Sequence, residues 1–187
     1  MSLVVAIKKD DVVYFGADTR VSIEGGDVSR CLCVLAEDEL KIQRMGSCFV
    51  GTAGYNQGSQ LFLDHPEWFE LKGKPLTKRF IVQNVIPKFY DLAKEMYKLT
   101  PAVFLVTDGK KLFKINDDFE VVELSRYGQI GCTKTIALAL ILSEIDNCSP
   151  NEIILNALRE SAYRNNYVGA PFVLINTRDN KFEFVEE

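Results

Sequence analysis

The chain has 187 residues, of which 47% are hydrophobic and 26% are charged, so we expect a globular protein with one sizeable core. The net charge of −4 leaves no basic face for nucleic acid, and no apolar run approaches the ~20 residues that cross a membrane. Five cysteines without a repeated spacing and a single histidine favour reduced thiols and argue against a metal site or a cofactor.

No linker rich in Gly, Ser or Pro divides the chain, so residues 1–187 are predicted to form a single domain. The first apolar stretch is followed by lysines instead of preceded by them, which is not the pattern of a secretory signal. We therefore expect a cytoplasmic protein.

A β-hairpin is predicted at the start of the chain. Residues 4–7 and 12–17 are β-branched or aromatic runs that flank four charged residues. A turn centred on Asp10 would place Ser2 across from Asp18, and a turn centred between Asp10 and Asp11 would shift the pairing by one residue. In either case the Asp18 carboxylate is expected to meet the start of the chain.

A second hairpin is predicted over residues 41–45 and 48–52, with its turn at Gly46 and Ser47. The segment Gly-Thr-Ala-Gly at 51–54 then leads into a helix over residues 55–63. Further strands are predicted over residues 102–107, 111–115, 121–124, 172–176 and 181–185.

Three more helices are indicated. Residues 77–99 carry apolar side chains at steps of three and four, with a kink expected at Pro87. Residues 133–146 are apolar almost all round, so this helix is expected to be deeply covered. Ser149 and Glu152 form a capping box that opens a helix reaching about residue 165.

The layering follows from the composition of the strands. Hairpins imply antiparallel sheets, and such sheets normally have one wet face, yet most of these strands are apolar on both faces. Two antiparallel sheets packed on each other, with helices on each outer side, would cover all four faces. We therefore predict an α+β fold, a four-layer α/β/β/α sandwich.

The order of these motifs resembles the β-type subunits of the proteasome and their bacterial heat-shock relatives, which are N-terminal nucleophile (Ntn) hydrolases. The features that carry the resemblance are the hairpin ending in Asp18-Thr19-Arg20, the lysine in Glu-Leu-Lys-Ile-Gln (Lys41), and the Gly-Thr-Ala-Gly turn. The resemblance covers residues 2–60 best and implies the Ntn hydrolase fold.

The resemblance also implies a catalytic set. Ser2 would be the nucleophile, and its own free α-amino group would take the proton from its hydroxyl. Lys41 would stabilise the reactive form, Asp18 would hold that lysine, and the backbone N–H of Gly54 would face the developing oxyanion. Arg20 would anchor the same region.

Other positions follow from the same resemblance. Gln129 stands in the segment where the family carries a Gly-Ser-Gly serine, and Asn165 stands where it carries an aspartate. The pocket beside the nucleophile would be lined by Val21, Gln43, Thr52 and Asn56.

The implied function is that of a proteasome-like threonine/serine-type endopeptidase inside a homo-oligomeric ring. Its partners would be a peptide or unfolded-protein substrate and an ATPase unfoldase. Two alternatives stay open on the same fold: a catalytically inactive ring-forming or interaction subunit, and a small-molecule amidase. Taken separately, Asp18 to Arg20 could be a solvated strand end and Lys41 a surface lysine, so the functional interpretation depends on their joint order.

Overall fold

The computed structural model describes residues 2–20, 40–54, 56–95 and 102–186. Their strands are β1 (Leu3–Lys9), β2 (Val12–Asp18), β3 (Ile42–Met45), β4 (Cys48–Gly54), β5 (Ala102–Thr107), β6 (Leu112–Ile115), β7 (Val121–Leu124), β8 (Tyr127–Gly131), β9 (Phe172–Asn176) and β10 (Lys181–Val185). They form two antiparallel five-stranded sheets, in the orders β10-β9-β2-β1-β8 and β3-β4-β5-β6-β7.

The helices of the described residues lie in three places along the chain. Their bounds are α1 (Asn56–Leu63), α2 (Lys78–Phe80), α3 (Ile86–Glu95), α4 (Lys134–Glu144) and α5 (Pro150–Arg164), with a 3-10 turn at Pro66–Phe69. None of them is long and apolar enough to span a lipid bilayer.

Three apolar clusters fill the three spaces between four layers. One cluster joins the outer face of the second sheet to α1 and α3, through Phe62, Phe89 and Phe104 among others. The second lies between the two sheets. The third joins the first sheet to α4 and α5. The predicted α/β/β/α sandwich is therefore confirmed.

Strand β1 shows why these strands are apolar on both faces. Leu3, Val5 and Ile7 pack in the cluster beneath α4 and α5, whereas Val4 and Ala6 pack between the two sheets. Because successive side chains of a strand point to opposite faces, a strand covered on both sides cannot alternate between apolar and polar residues.

The first hairpin adopts the second of the two predicted registers. Val4 pairs with Ala17, so the turn is centred between Asp10 and Asp11 and Asp18 comes opposite Leu3 instead of Ser2. Asp10 and Asp11 have φ angles of 50° and 55°, as a two-residue turn of the I′ type requires. Aspartate tolerates this left-handed region better than most residues, which accounts for its presence here.

The other predicted strands are found with shifts of at most two residues at their ends, but β8 was not predicted. Its sequence, Tyr-Gly-Gln-Ile-Gly, carries two glycines and a glutamine, so it lacks the β-branched run that marks a strand. Gly128 is needed for packing, since a Cβ there would lie 2.6 Å from a methyl carbon of Leu124.

The expectation that the helix over residues 133–146 is deeply covered was wrong. In α4 only Ala137 and Ile141 are buried, and Leu142 is 56% exposed. The helix lies in an outer layer against β8 and α5, so its opposite side faces outward in this single chain. The exposed residues of this side are Lys134, Thr135, Ala139, Leu142 and Ser143, so Leu142 is the large apolar side chain that α4 presents to solvent.

The helix predicted over residues 77–99 is observed from Lys78 to Glu95, and residues 96–99 lie outside the described part of the chain. Its middle, Ile81–Val85, is a π-helical segment that directly precedes Ile86 and Pro87. Proline has no N–H to donate to the preceding turn, and a π-helical segment is one way in which a helix accommodates this loss. Residue 55, the predicted start of the earlier helix, is also outside the described residues.

Candidate active site

The end of β2 brings a buried carboxylate to the start of the chain. Asp18 is fully buried, and its Oδ1 accepts a hydrogen bond of 2.8 Å from the backbone N–H of Leu3. The antiparallel register of β1 and β2 causes this contact, because it places Asp18 directly after the Val4–Ala17 pair. Since the Leu3 nitrogen is bonded to the Ser2 carbonyl carbon, the carboxylate lies immediately beside Ser2.

Lys41 reaches the same carboxylate oxygen from the second sheet. Its Nζ lies 2.8 Å from Asp18 Oδ1 and donates a 2.6 Å hydrogen bond to the backbone carbonyl of Arg20. Lys41 directly precedes β3, and its own carbonyl accepts from the Thr52 N–H on the neighbouring strand at 2.8 Å. The sheet therefore fixes the lysine backbone, and two oxygens fix its ammonium group.

Burial dominates the electrostatics of this pair. Removal from water raises the pKa of Asp18, while the Lys41 ammonium and the Leu3 N–H oppose the rise by stabilising the charged form. The second oxygen of Asp18, Oδ2, is buried and has no hydrogen-bond partner among the described residues. A buried carboxylate with one unused oxygen is costly to the fold unless something binds it.

Thr19 and Arg20 attach this strand end to the loop before β9. The Thr19 N–H and Oγ1 both donate to the carbonyl of Pro171, at 3.2 Å and 2.7 Å. The guanidinium of Arg20 packs directly on Gly169, where an added Cβ would lie 2.2 Å from Cζ. The Arg20 carbonyl accepts the hydrogen bond from Lys41, and the anchoring role that the resemblance implies for Arg20 stays a prediction.

The sequence reasoning missed Cys132, which is the residue that follows β8. Strand β8 pairs with β1 so that Gly131 lies opposite Leu3, and the Cys132 N–H donates to the Ser2 carbonyl at 3.0 Å. Only the pairing of β1 with β8 reveals this contact, and β8 carries no strand signal in the sequence.

Gln129, by contrast, does not lie beside Ser2. It is opposite Val5 within β8, so the supporting position assigned to it was wrong. The physical reason is the antiparallel register. Gln129 lies opposite Val5, and Ile130 and Gly131 lie opposite Val4 and Leu3, so the residue that bonds to Ser2 is the one after Gly131.

Gly54 is the last residue of β4, is exposed, and has a φ of 128°, a conformation that favours glycine. It pairs with Ala102 at the end of the sheet, and α1 begins two residues later. Its assignment as an oxyanion donor stays a prediction.

Asn165 directly follows α5 as its C-cap residue, and its Oδ1 accepts a 2.8 Å hydrogen bond from the Tyr167 N–H. Its side chain is thus engaged within its own loop. In the same loop Val168 is fully buried in the cluster beneath α5.

The predicted pocket is described in part. Gln43 lies opposite Val50, and Thr52 lies two residues further along β4, so both side chains share the sheet face turned toward α1. Thr52 is buried and Gln43 is half-buried. Asn56 begins α1, but its side chain is outside the described part of the chain, as is Val21 altogether.

In the described ranges no three His, Cys, Asp or Glu side chains are grouped as metal ligands would be. The chemical groups at this site are a buried carboxylate, an ammonium group held by it, and the hydroxyl amino acid next to the carboxylate. Such a set can stabilise the deprotonated form of a hydroxyl or of an amine.

No protein-family model matches the chain, and no curated protein matches it. Several solved structures, by contrast, are similar to it. BPH of Thiobacillus denitrificans in complex with epoxomicin has a TM-score of 0.72 and 18% identity, over 99% of this chain and 100% of that one. Anbu (ancestral β-subunit) of Yersinia bercovieri also gives a TM-score of 0.72, with 15% identity over 99% of this chain and 87% of that one.

HslV of Trypanosoma brucei gives a TM-score of 0.65 and 17% identity, over 93% of this chain and 98% of that one. These structural neighbours are proteasome-like Ntn hydrolases, as the sequence resemblance indicated. The TM-scores of 0.65 to 0.72 show that the chain has their fold, and at identities of 15% to 18% the likeness shows the fold alone.

Proposed function

We propose that the chain is a proteasome-like endopeptidase of the N-terminal nucleophile type, with Ser2 as the nucleophile. The observation that carries the proposal is the single oxygen, Asp18 Oδ1, that binds both the Leu3 N–H and the Lys41 ammonium. It joins the start of the chain to a buried ion pair. A solvated strand end or a surface lysine would have no need of that arrangement.

The reaction follows from these positions. The hydroxyl of Ser2 attacks a peptide carbonyl while its free α-amino group accepts the proton, and an ester to Ser2 forms as the amine product leaves. Water then hydrolyses the ester. The positive charge of Lys41 favours the deprotonated hydroxyl, and the Gly54 N–H stabilises the oxyanion of each tetrahedral intermediate.

This mechanism requires a free amino group on Ser2, so Met1 must be absent from the working form. An amide at that nitrogen has no basic lone pair and could not accept the proton. Under the proposal Arg20 holds Lys41 through its carbonyl, and Val21, Gln43, Thr52 and Asn56 line the substrate pocket.

We further propose a peptide or unfolded-protein substrate, a homo-oligomeric ring, an ATPase unfoldase partner and a cytoplasmic location. The neighbouring structures and the sequence resemblance support this set. Leu142 of α4, which is 56% exposed, supports the oligomer because a second chain would cover it.

A second candidate is a catalytically inactive subunit on the same fold. Two observations favour it. Asn165 stands where the family carries an aspartate, and its side chain is hydrogen-bonded within its own loop. In the same loop, Val168 has an apolar side chain that is fully buried. In that case the buried Asp18–Lys41 pair would have only a structural role, which is to hold the first strand in place.

Hydrolysis of fluorogenic peptides by the chain and by three variants separates these candidates. If Ser2 is the nucleophile, Ser2→Thr keeps activity because it keeps a hydroxyl, whereas Ser2→Ala and Lys41→Ala lose at least about 100-fold. If the native chain and Ser2→Ala hydrolyse equally slowly while size-exclusion chromatography shows an oligomer, the inactive subunit is the correct assignment.

A further inference from the structure

Strand β10 forms one edge of the first sheet. It pairs with β9 on one side, and no strand of the described residues pairs with its other side. Its first four residues are all exposed, and they include Phe182 at 37% and Phe184 at 41%. Phenylalanine is more often buried. An exposed edge strand with aromatic side chains is a place where a further strand can add to the sheet.

The backbone groups that point toward this open edge are those of Phe182 and Phe184. The Thr177 N–H donates to the Val13 carbonyl, so the odd-numbered residues of β9 form their hydrogen bonds with β2. The even-numbered residues of β9 therefore bond to β10, where each lies opposite an odd-numbered residue. This leaves the N–H and C=O groups of Phe182 and Phe184 directed away from β9.

The side chains of the two phenylalanines lie at the margin of the inter-sheet space. Phe182 is opposite Ile175 and Phe184 is opposite Val173, and both of these partners pack between the two sheets. The second sheet has β3 as its edge strand, and β3 contacts β2. Because β10 is two strands further out than β2, its phenylalanines extend past the described part of the second sheet.

The opposite face of β10 carries two opposite charges. Lys181 and Glu183 are two residues apart, so they project from the same face of the strand. Both are exposed, and neither has an ion-pair partner among the residues that the structure describes. Charges of a single sign along an edge oppose its pairing with a copy of itself, but here the two signs alternate. An antiparallel copy can therefore present the complementary charge to each.

We propose that β10 pairs with β10 of a second copy of this chain, antiparallel and about a two-fold axis at Phe182. The N–H of each Phe182 then donates to the carbonyl of the other, and the two aromatic rings lie side by side. Lys181 of each copy comes opposite Glu183 of the other, which gives two ion pairs on the other face. Aromatic pairs and opposite-charge pairs directly across two strands both stabilise a sheet.

The charges select this register over the adjacent one. A two-fold axis at Glu183 would also use the open N–H and C=O groups of Phe182 and Phe184. It would, however, place two Glu183 carboxylates directly opposite each other, which is destabilising. The contact lies outside the proposed catalytic set, so it does not depend on the chain being a peptidase.

Charge reversal tests the ion pairs. Sedimentation velocity over a series of chain concentrations gives the concentration at which the particle mass doubles. Lys181→Glu and Glu183→Lys should each raise that concentration about 10-fold, because each makes both pairs like-charged. The double variant restores opposite charges and should return it to within about threefold of the unmodified chain. Lys88→Glu, an exposed change of the same charge on α3, is the control and should have no effect.

A disulfide tests the register itself. Residues of a hydrogen-bonded antiparallel pair have Cα atoms about 5.5 Å apart, within the range that a disulfide spans. Under mild oxidation Phe182→Cys should therefore form a dimer in which two copies of residue 182 are joined, as identified by mass spectrometry without reduction. Phe184→Cys is the matched control, since its two copies would lie about 13 Å apart along the strands.

The inference is overturned if the unmodified chain does not associate through this concentration series, or if the charge reversals leave the association unchanged. It is also overturned if the double variant associates as weakly as the single ones, because the charges would then not face each other. A disulfide in Phe184→Cys as fast as that in Phe182→Cys, or one in Glu183→Cys in its place, would show that the strands do not meet at Phe182.

Discussion

Replacement of Gly131 by alanine would drive a methyl group into the start of the chain. Gly131 has a φ of 113°, and a Cβ built on it would lie 1.9 Å from the Ser2 carbonyl oxygen and 2.7 Å from the Ser2 carbonyl carbon. Both are backbone atoms, so no side-chain rotation can relieve the collision. Either β1 moves away from β8 or the turn after β8 changes its conformation.

The expected cost combines two effects. A residue other than glycine at this φ loses about 1–3 kcal/mol through backbone strain. Displacement of Ser2 breaks the 3.0 Å bond from the Cys132 N–H, which is worth about 0.5–1.5 kcal/mol. We therefore expect Gly131→Ala to lower the free energy of unfolding by about 2–4 kcal/mol.

Urea unfolding and epoxyketone coupling at residue 2 measure the two consequences separately. Gly73→Ala is the control, because Gly73 has a φ of 77° with nothing within 4 Å of its Cβ position, so that substitution tests backbone strain alone. It should cost about 1–2 kcal/mol and couple at the unmodified rate, whereas Gly131→Ala should couple at least about 100-fold more slowly. Equal stability and equal coupling of the two variants would refute the placement of Ser2 against the turn.

Three further predictions concern charge and surface. Lys41→Met should lower the free energy of unfolding by about 3–5 kcal/mol, because it leaves the Asp18 carboxylate buried without its cation. Lys111→Met, which removes a surface ion pair with the half-exposed Glu123, should change it by less than about 1 kcal/mol in the same urea titration. Because burial raises the pKa of Asp18 from 3.8, folding favours its protonated form. The unfolding free energy of the unmodified chain, relative to that of Asp18→Asn, should therefore fall as the pH rises from 3.8 through the raised pKa. A constant difference between the two chains from pH 3.8 to 7 would contradict this. Leu142→Lys should reduce the particle size in size-exclusion chromatography, and it should change the unfolding free energy of the isolated chain by less than about 0.5 kcal/mol. An unchanged particle size would show that α4 does not take part in the contact between subunits.

Much of the fold could be predicted because the relevant signals are local. The apolar runs on either side of Asp10 and Asp11 indicate two strands joined by a turn. Because both faces of these strands are apolar and must be covered, the fold requires four layers. The capping box at Ser149 and Glu152 marks the start of α5, and its reciprocal bonds are present in the structure.

The remainder depends on contacts between distant segments, which the sequence does not encode locally. β8 is a strand because β1 supplies its hydrogen bonds. Gly128 is required by close packing against Leu124 and Leu105, and Gly131 by its close approach to the backbone of Ser2. The contact between Cys132 and Ser2 exists only through that pairing, so Gln129 was assigned in its place. The exposure of α4 could not be inferred either, because apolar composition does not distinguish a helix face that is covered from one that is exposed.

Mass spectrometry of the chain after incubation with epoxomicin tests the central claim most directly. An epoxyketone offers two electrophilic carbons, so it is suited to a residue that carries both a hydroxyl and a free amine. The account predicts a chain that begins at Ser2, one adduct located on that residue, and no adduct in Ser2→Ala or Lys41→Ala. A chain with a free amine on Ser2 that forms no adduct, or forms it on another residue, would contradict the account.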